Sequence, residues 1–277
     1  MLVPFLIMVR EGVEAALIVG IIAGYLKSTG RGQWMPLVWV GIVTAILLCL
    51  ALGIVLDLVS ADFPQKEQEL FAAIIGLIAV FLLASMVFWM KKASRSIKGE
   101  LQHSIDEALG EHDGKGLALV FMAFLAVARE GLESVFFLLA TFQQQGAGLE
   151  APIGALAGVL AAAAIGYAIY AGTVRLNLRR FFRWTGIFIL IVAAGLLAGS
   201  LRALHEAGLW NGLQTVAFDL SHVLPTDGVV GSVLSGIFGY VDTPTIGEVA
   251  VYVLFLVITV PLFLAAPRAP RQATSGA

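Results

Sequence analysis

The chain has 277 residues, 59% hydrophobic and 13% charged, with a formal net charge of −2 and a mean hydropathy of +0.93. Soluble domains carry about 25% charged residues, so a soluble globular fold is excluded, and the near-neutral balance gives no footprint for a nucleic-acid partner. The single cysteine, Cys49, leaves no intrachain disulfide and no thiolate metal cage, and reads as a small packing residue.

Apolar stretches of about 20 residues, the length a bilayer core of roughly 30 Å requires, recur along the chain. They predict an all-α polytopic membrane protein with seven transmembrane helices at 2–26, 35–58, 67–90, 116–142, 152–174, 184–203 and 246–266. The first run has no basic residue before it and no small-x-small site after it, so it is expected to stay as a helix rather than be removed as a signal.

That first run, FLIMVREGVEAALIV at 5–19, holds Arg10, Glu11 and Glu14; the fourth, FLAVAREGLESVFFL at 124–138, holds Arg129, Glu130 and Glu133. On a helix the glutamates of each set are three residues apart and share a face, and each arginine reaches the glutamate four residues on. A charged residue at a helix centre costs about 2.5–3.5 kcal/mol to insert, so six would total on the order of 15–20 kcal/mol uncompensated. Such residues belong in a bundle interior, paired, and commonly on an ion or proton path. Two arginines against four glutamates leave two carboxylates without a counter-charge, which a small hard cation completes; all-carboxylate ligation suits Mg, Ca and Mn, and Fe³⁺ is harder still. The plainer reading is an inter-helix clamp, and the duplication argues against it. Gly12 and Gly131, inside the motifs, leave room for a neighbouring helix or for backbone approach to an ion.

The Lys and Arg residues collect on one side of the spans. Lys27 and Arg31, then Lys91, Lys92, Arg95, Lys98 and Lys115, then Arg175, Arg179, Arg180 and Arg183, then Arg268 and Arg271 all fall there, against Lys66 and Arg202 opposite. The positive-inside rule puts the N-terminus out and the C-terminus in. The two motif helices then run antiparallel, and the chain divides into 1–90 and 116–203 as an inverted 3+3 helix repeat, with the seventh helix at 246–266 and a cytoplasmic tail at 267–277. The cytoplasmic connection 91–115 repeats Leu101, Ile105 and Leu109 at helical spacing, as an interfacial amphipathic helix does. Its His103 and His112 read as solvated loop residues.

Two outer regions offer cation ligands. Glu67 and Glu69 open the third span beside Asp62, where the helix dipole alone favours carboxylates. The outer loop 204–245 holds His205, Glu206, Asp219, His222, Asp227 and Asp242; a helix over 213–223 would put Asp219 and His222 on one face. The loop is otherwise apolar and is expected to pack on the bundle or to lie in the interface.

The paired REGVE and REGLE motifs, with FPQKEQELF, MVFWMKK, LHEAGLW and GIFGY, resemble the oxidase-dependent iron transporter family, closest to its bacterial permeases, over nearly the whole chain. The resemblance implies a multi-pass permease of the bacterial inner membrane, not an enzyme. Iron is the transported substrate, supplied as Fe²⁺ and translocated as Fe³⁺ after oxidation, with no permanent cofactor. It implies a periplasmic iron-binding lipoprotein and a haem peroxidase as partners beside membrane lipid. It makes Glu11, Glu14, Glu130 and Glu133 the translocation ligands, with Arg10 and Arg129 balancing charge. The Asp-Ala-Ser-Glu segment of fungal members is absent, so outer capture would fall to Asp62, Glu67, Glu69, Asp219 or His222. A transporter of Mn²⁺ or Pb²⁺ on the same fold remains an alternative. So, less favoured, does a membrane-embedded di-iron oxidase, whose Glu-x-x-His repeats neither motif supplies.

The orientation has a direct measurement. In a Cys49→Ala background, a membrane-impermeant maleimide should label Gln65→Cys in intact spheroplasts and Thr274→Cys only after permeabilisation; the reverse pattern would invert the topology.

Overall fold

The computed structural model describes residues 2–61, 63–93, 103, 105, 115–145, 149–170, 178–226 and 228–265. Among them, α1 (Leu2–Ser28) is followed by a single helical turn at Gly32–Trp34, then α2 (Met35–Ala61), α3 (Gln65–Ala93), α4 (Lys115–Gln145) and α5 (Glu150–Tyr170). α6 (Leu178–Glu206), the short α7 (Val229–Phe238) and α8 (Ile246–Leu264) complete the order. All seven predicted spans are helical where described, save for Ala265 at the end of the seventh; 171–174 of the fifth and 266 of the seventh lie outside the described residues.

Helix is the form an apolar segment takes when its backbone must satisfy itself without water. Local chemistry ends it. Gly30 takes a left-handed φ of 70° and Arg31 N donates to Leu26 O at 2.8 Å, which closes α1. Thr245 caps α8, its hydroxyl accepting from Glu248 N at 3.2 Å. The Glu248 carboxylate, which a capping box would turn back to the cap residue, instead meets Arg202 of α6 in a fork of 3.0 and 2.6 Å.

Among the described residues, five stretches are long and apolar enough to cross a membrane: Gly32–Ser60, Gln65–Trp89, Ala151–Ile169, Arg183–Glu206 and Ile246–Leu264. α1 and α4 are as long, but each carries an Arg-Glu-x-x-Glu set in its middle. The outward faces of α2, α5 and α8 are lined with exposed large apolar side chains, among them Leu47 at 60%, Leu160 at 63% and Val257 at 62%. A soluble monomer does not leave so continuous an apolar belt to water; this is a multi-pass membrane protein.

Inside the belt, α1 packs along α5, α2 along α4, and α3 along α6, while α1 also meets α4 and α8 lies on α6. Small residues permit the close approaches. A methyl group at Gly158 would lie 2.5 Å from Phe5 O of α1, and one at Gly41 would meet Val120 O of α4. Gly12 faces Ala162, and Gly131 faces Cys49, so both motif glycines serve helix contact as anticipated. Ile105, from the connection before α4, is fully buried against the α1–α2–α4 cluster. Leu101, Leu109, His112 and the tail 267–277 lie outside the described residues; His103 is helical and exposed.

The helix considered over 213–223 of the outer loop does not form. Leu213 has φ 58°, and the segment lies extended against the start of α8. Ala217 N donates to Pro244 O at 2.8 Å, Leu220 N to Asp242 O at 2.8 Å, and Ile246 N to Thr215 O at 2.9 Å. Backbone pairing to a distant segment, invisible in local spacing, overrides the helical reading.

The packing separates two glycines of similar appearance. Gly158→Ala should cost about 1–3 kcal/mol through overpacking and lower the thermal midpoint in detergent. Gly24→Ala, with nothing within 4 Å of the added methyl, should leave the midpoint unchanged or raise it, helix propensity favouring Ala by up to about 1 kcal/mol.

Candidate metal centre

The two motifs meet inside the bundle where α1 crosses α4. Arg10, Glu11, Glu14, Glu130 and Glu133 are respectively 2%, 1%, 4%, 4% and 7% exposed. With Gly12 and Gly131 turned to their neighbouring helices, the carboxylates of both segments converge. One oxygen each from Glu11, Glu14 and Glu130 lies within 4.8 Å of the other two, and among the described residues this is an all-carboxylate group.

Arg10 sits among them. Its Nη1 donates to Glu11 Oε1 at 2.9 Å and its Nη2 lies 3.2 Å from Glu14 Oε1. The second contact has the distance of an ion pair without the alignment of a hydrogen bond, so that Glu14 oxygen counts as unpartnered in hydrogen-bonding terms. Nη1 also contacts Met86 Sδ of α3 at 2.9 Å. In the second motif, Arg129 Nε donates to Glu133 Oε1 at 3.3 Å, the expected i to i+4 pair. Arg129 is otherwise unlike Arg10: its side chain is 43% exposed, and its guanidinium lies 4.1 Å from the Trp89 ring centre.

Met86 and Trp89 contact the two motif arginines, which the spacing of the motifs did not disclose. They are three apart, so one face of α3 serves both arginines. Only the proximity of α3 to the motif helices reveals this; in the sequence both look like lipid-facing or core residues.

Carboxylate oxygens in this buried place lack hydrogen bonds: Glu11 Oε2, Glu130 Oε2 and Glu133 Oε2, together with the ion-paired Glu14 Oε1. A buried polar atom without a partner is costly, more so when charged. The donor set, hard oxygens with too few protein cations, is what a small multivalent cation would complete.

The outer candidates are spread differently from the sequence expectation. Glu67 is exposed in the first turn of α3, and Asp62 lies outside the described residues. Glu69 is half-buried and within hydrogen-bond reach of Glu206, at the end of α6. Both line a cavity of about 240 Å³ that Thr141, Gln143 and Arg202 also border. Asp219 and His222 do not share a helix face. Asp219 Oδ1 accepts from Ser221 N at 2.9 Å and Ser221 Oγ at 2.6 Å, which holds its carboxyl below the usual range, and His222 is exposed in the following turn. Asp242 is likewise depressed, chiefly by accepting from Thr226 N, and Asp227 lies outside the described residues. His205 Nδ1 is 2.8 Å from Trp210 O. The loop carboxylates Asp219 and Asp242 thus hold turns together.

Residues 1–270 match the model of the iron permease FTR1 family. The chain is 58% identical over 268 residues to the ferrous iron permease EfeU of Yersinia pestis, covering 97% of this chain and 95% of that protein. It is 53% identical over 277 residues to the ferrous iron permease EfeU of Escherichia coli O157:H7, covering both chains completely. No solved structure matches. With both Arg-Glu-x-x-Glu segments facing one another in the bundle, and similarity extending across the whole chain, the protein belongs to the iron permease FTR1 family.

Proposed function

We propose that this chain is an iron permease of the bacterial inner membrane, carrying iron inward through a midplane cage of Glu11, Glu14, Glu130 and Glu133. The observation that carries the reading is the set of buried carboxylate oxygens without hydrogen bonds, contributed by two different helices. Its relatives' names supply the metal: ferrous iron permeases. Arg10 and Arg129 offset part of the negative charge and aim the carboxylates. Iron reaches the protein as Fe²⁺ and crosses as Fe³⁺ after oxidation, the harder ion being the better match to four carboxylates.

The topology proposed is seven spans, N-terminus out and C-terminus in, with α1–α3 and α4–α6 as inverted halves and α8 added. The pairing pattern supports it. Exchange of the halves turns the α1–α5 contact into the α4–α2 contact, and maps α3–α6 and α1–α4 onto themselves. Phe5 against Gly158 and Phe124 against Gly41 are matching contacts. A site at the junction of such halves is alternately exposed when one rocks against the other.

At the outer end, Glu67 and Glu69 capture the cation, with Asp62 beside them in sequence. Glu206 joins Glu69 at the cavity, while Asp219 and His222 are secondary because turn geometry already accounts for Asp219. A periplasmic iron-binding lipoprotein and a haem peroxidase would deliver and oxidise the metal. Inward movement of positive charge gains about 2.3 kcal/mol per unit charge per 100 mV.

Radioactive iron uptake into proteoliposomes tests the cage, with Fe²⁺, Fe³⁺ and Mn²⁺ compared. Each of Glu11→Gln, Glu14→Gln, Glu130→Gln and Glu133→Gln should lower iron flux about tenfold or more. Unchanged flux in folded Glu14→Gln and Glu133→Gln would sink the cage. Loss of folding in Arg10→Leu with no effect of the four Gln changes would establish the clamp, and faster Mn²⁺ than iron flux would reassign the substrate.

A further inference from the structure

We propose that the four glutamates divide by role: Glu11, Glu14 and Glu130 form the resting cation site, and Glu133 with Arg129 forms a gate beside it. The division rests on the cation-cage reading above and assigns its parts.

Geometry separates the residues first. Glu11, Glu14 and Glu130 bring an oxygen each within 4.8 Å of one another, a grouping that does not include Glu133. Within it, Glu11 Oε2 and Glu130 Oε2 are buried acceptors without a partner, on side chains 1% and 4% exposed. Neither of those two oxygens has a hydrogen-bond partner to lose when a cation arrives. Glu133 differs in lying outside that grouping and in the partner of its Oε1: Arg129, 3.3 Å away, has a side chain 43% exposed, whereas the partner of Glu11 Oε1 is the enclosed Arg10.

The two arginines differ in freedom. Arg10 is 2% exposed and contacts Glu11, Glu14 and Met86 Sδ at once. Moving it would strand a buried charge, so it remains a fixed counter-charge behind the site. Arg129 has an open side, and Trp89 offers a π face 4.1 Å from its guanidinium. A guanidinium leaving Glu133 would stay over the indole, where a cation is attracted by the ring quadrupole. A cation reaching Glu133 can thus take the place of Arg129 as the carboxylate's partner, one positive charge for another. Trp89 is then a positioning residue: it keeps Arg129 within reach of Glu133 and receives it when the gate opens.

Equilibrium binding and transport separate the roles. Anaerobic dialysis of the full-length, detergent-purified protein against radioactive Fe²⁺ reads the resting site, and proteoliposome flux reads passage. Glu130→Gln should weaken Fe²⁺ binding about tenfold or more. Glu133→Gln should change binding by less than about threefold, the range of a partly exposed ion pair, yet slow flux about tenfold. Trp89→Leu should repeat the Glu133→Gln pattern, and Trp89→Phe, which restores a π face, should recover most of the flux. Should Glu133→Gln fail to fold, the Trp89 pair carries the test alone. Equal weakening of binding by Glu133→Gln and Glu130→Gln would overturn the division in favour of a four-ligand site. Wild-type flux in Trp89→Leu would remove the gate while leaving the cage intact. Normal binding and flux in Glu130→Gln would instead discard the cage itself, and this division with it.

Discussion

The interaction on which the rest depends is the contact of Arg10 with Glu11 and Glu14 inside an apolar bundle. Charges taken from water are tolerated only when paired and enclosed. The enclosure comes from close helix packing, and that packing needs small residues at Gly12, Gly41, Gly131 and Gly158. Lipid cannot drive helices together by hydrophobicity, so shape must do it. The same glycines that let α2 and α5 close on α4 and α1 leave the opposite faces free to present carboxylates to one another. Charge burial and tight helix contact are therefore two consequences of one arrangement.

The arrangement is not symmetric in detail. The motifs match residue for residue, yet Arg10 is enclosed and Arg129 is 43% exposed. α3 meets the two guanidiniums differently, with a thioether against one and an indole against the other. A repeat in sequence sets the same chemistry in two places, while the surroundings of each copy decide what that chemistry is free to do.

Beyond the bundle, the loop between α6 and α8 is organised by hydrogen bonds rather than by helix. Tyr240 donates to Leu224 O at 2.8 Å, Asp242 accepts from Thr226 N at 3.1 Å, and Gly239 at φ 65° sits against Gly195 of α6. These contacts fasten the loop beside the cavity that Glu69 and Glu206 share. Carboxylates that looked alike in the sequence thereby separate into those that stabilise turns and those that line open space.

The sequence by itself determined the membrane class, the seven long helices and the identity of the charged motifs. Hydropathy over about 20 residues and side chains three apart on a helix are local properties, readable without a partner. The i to i+4 pairs of Arg10 with Glu14 and Arg129 with Glu133 were legible for the same reason. Tertiary structure alone decided which carboxylates meet, that Met86 and Trp89 contact the motif arginines, that Glu206 faces Glu69, and that 213–223 is extended rather than helical. Each of these depends on atoms far apart in the chain, and no spacing along one segment encodes where another segment will cross it.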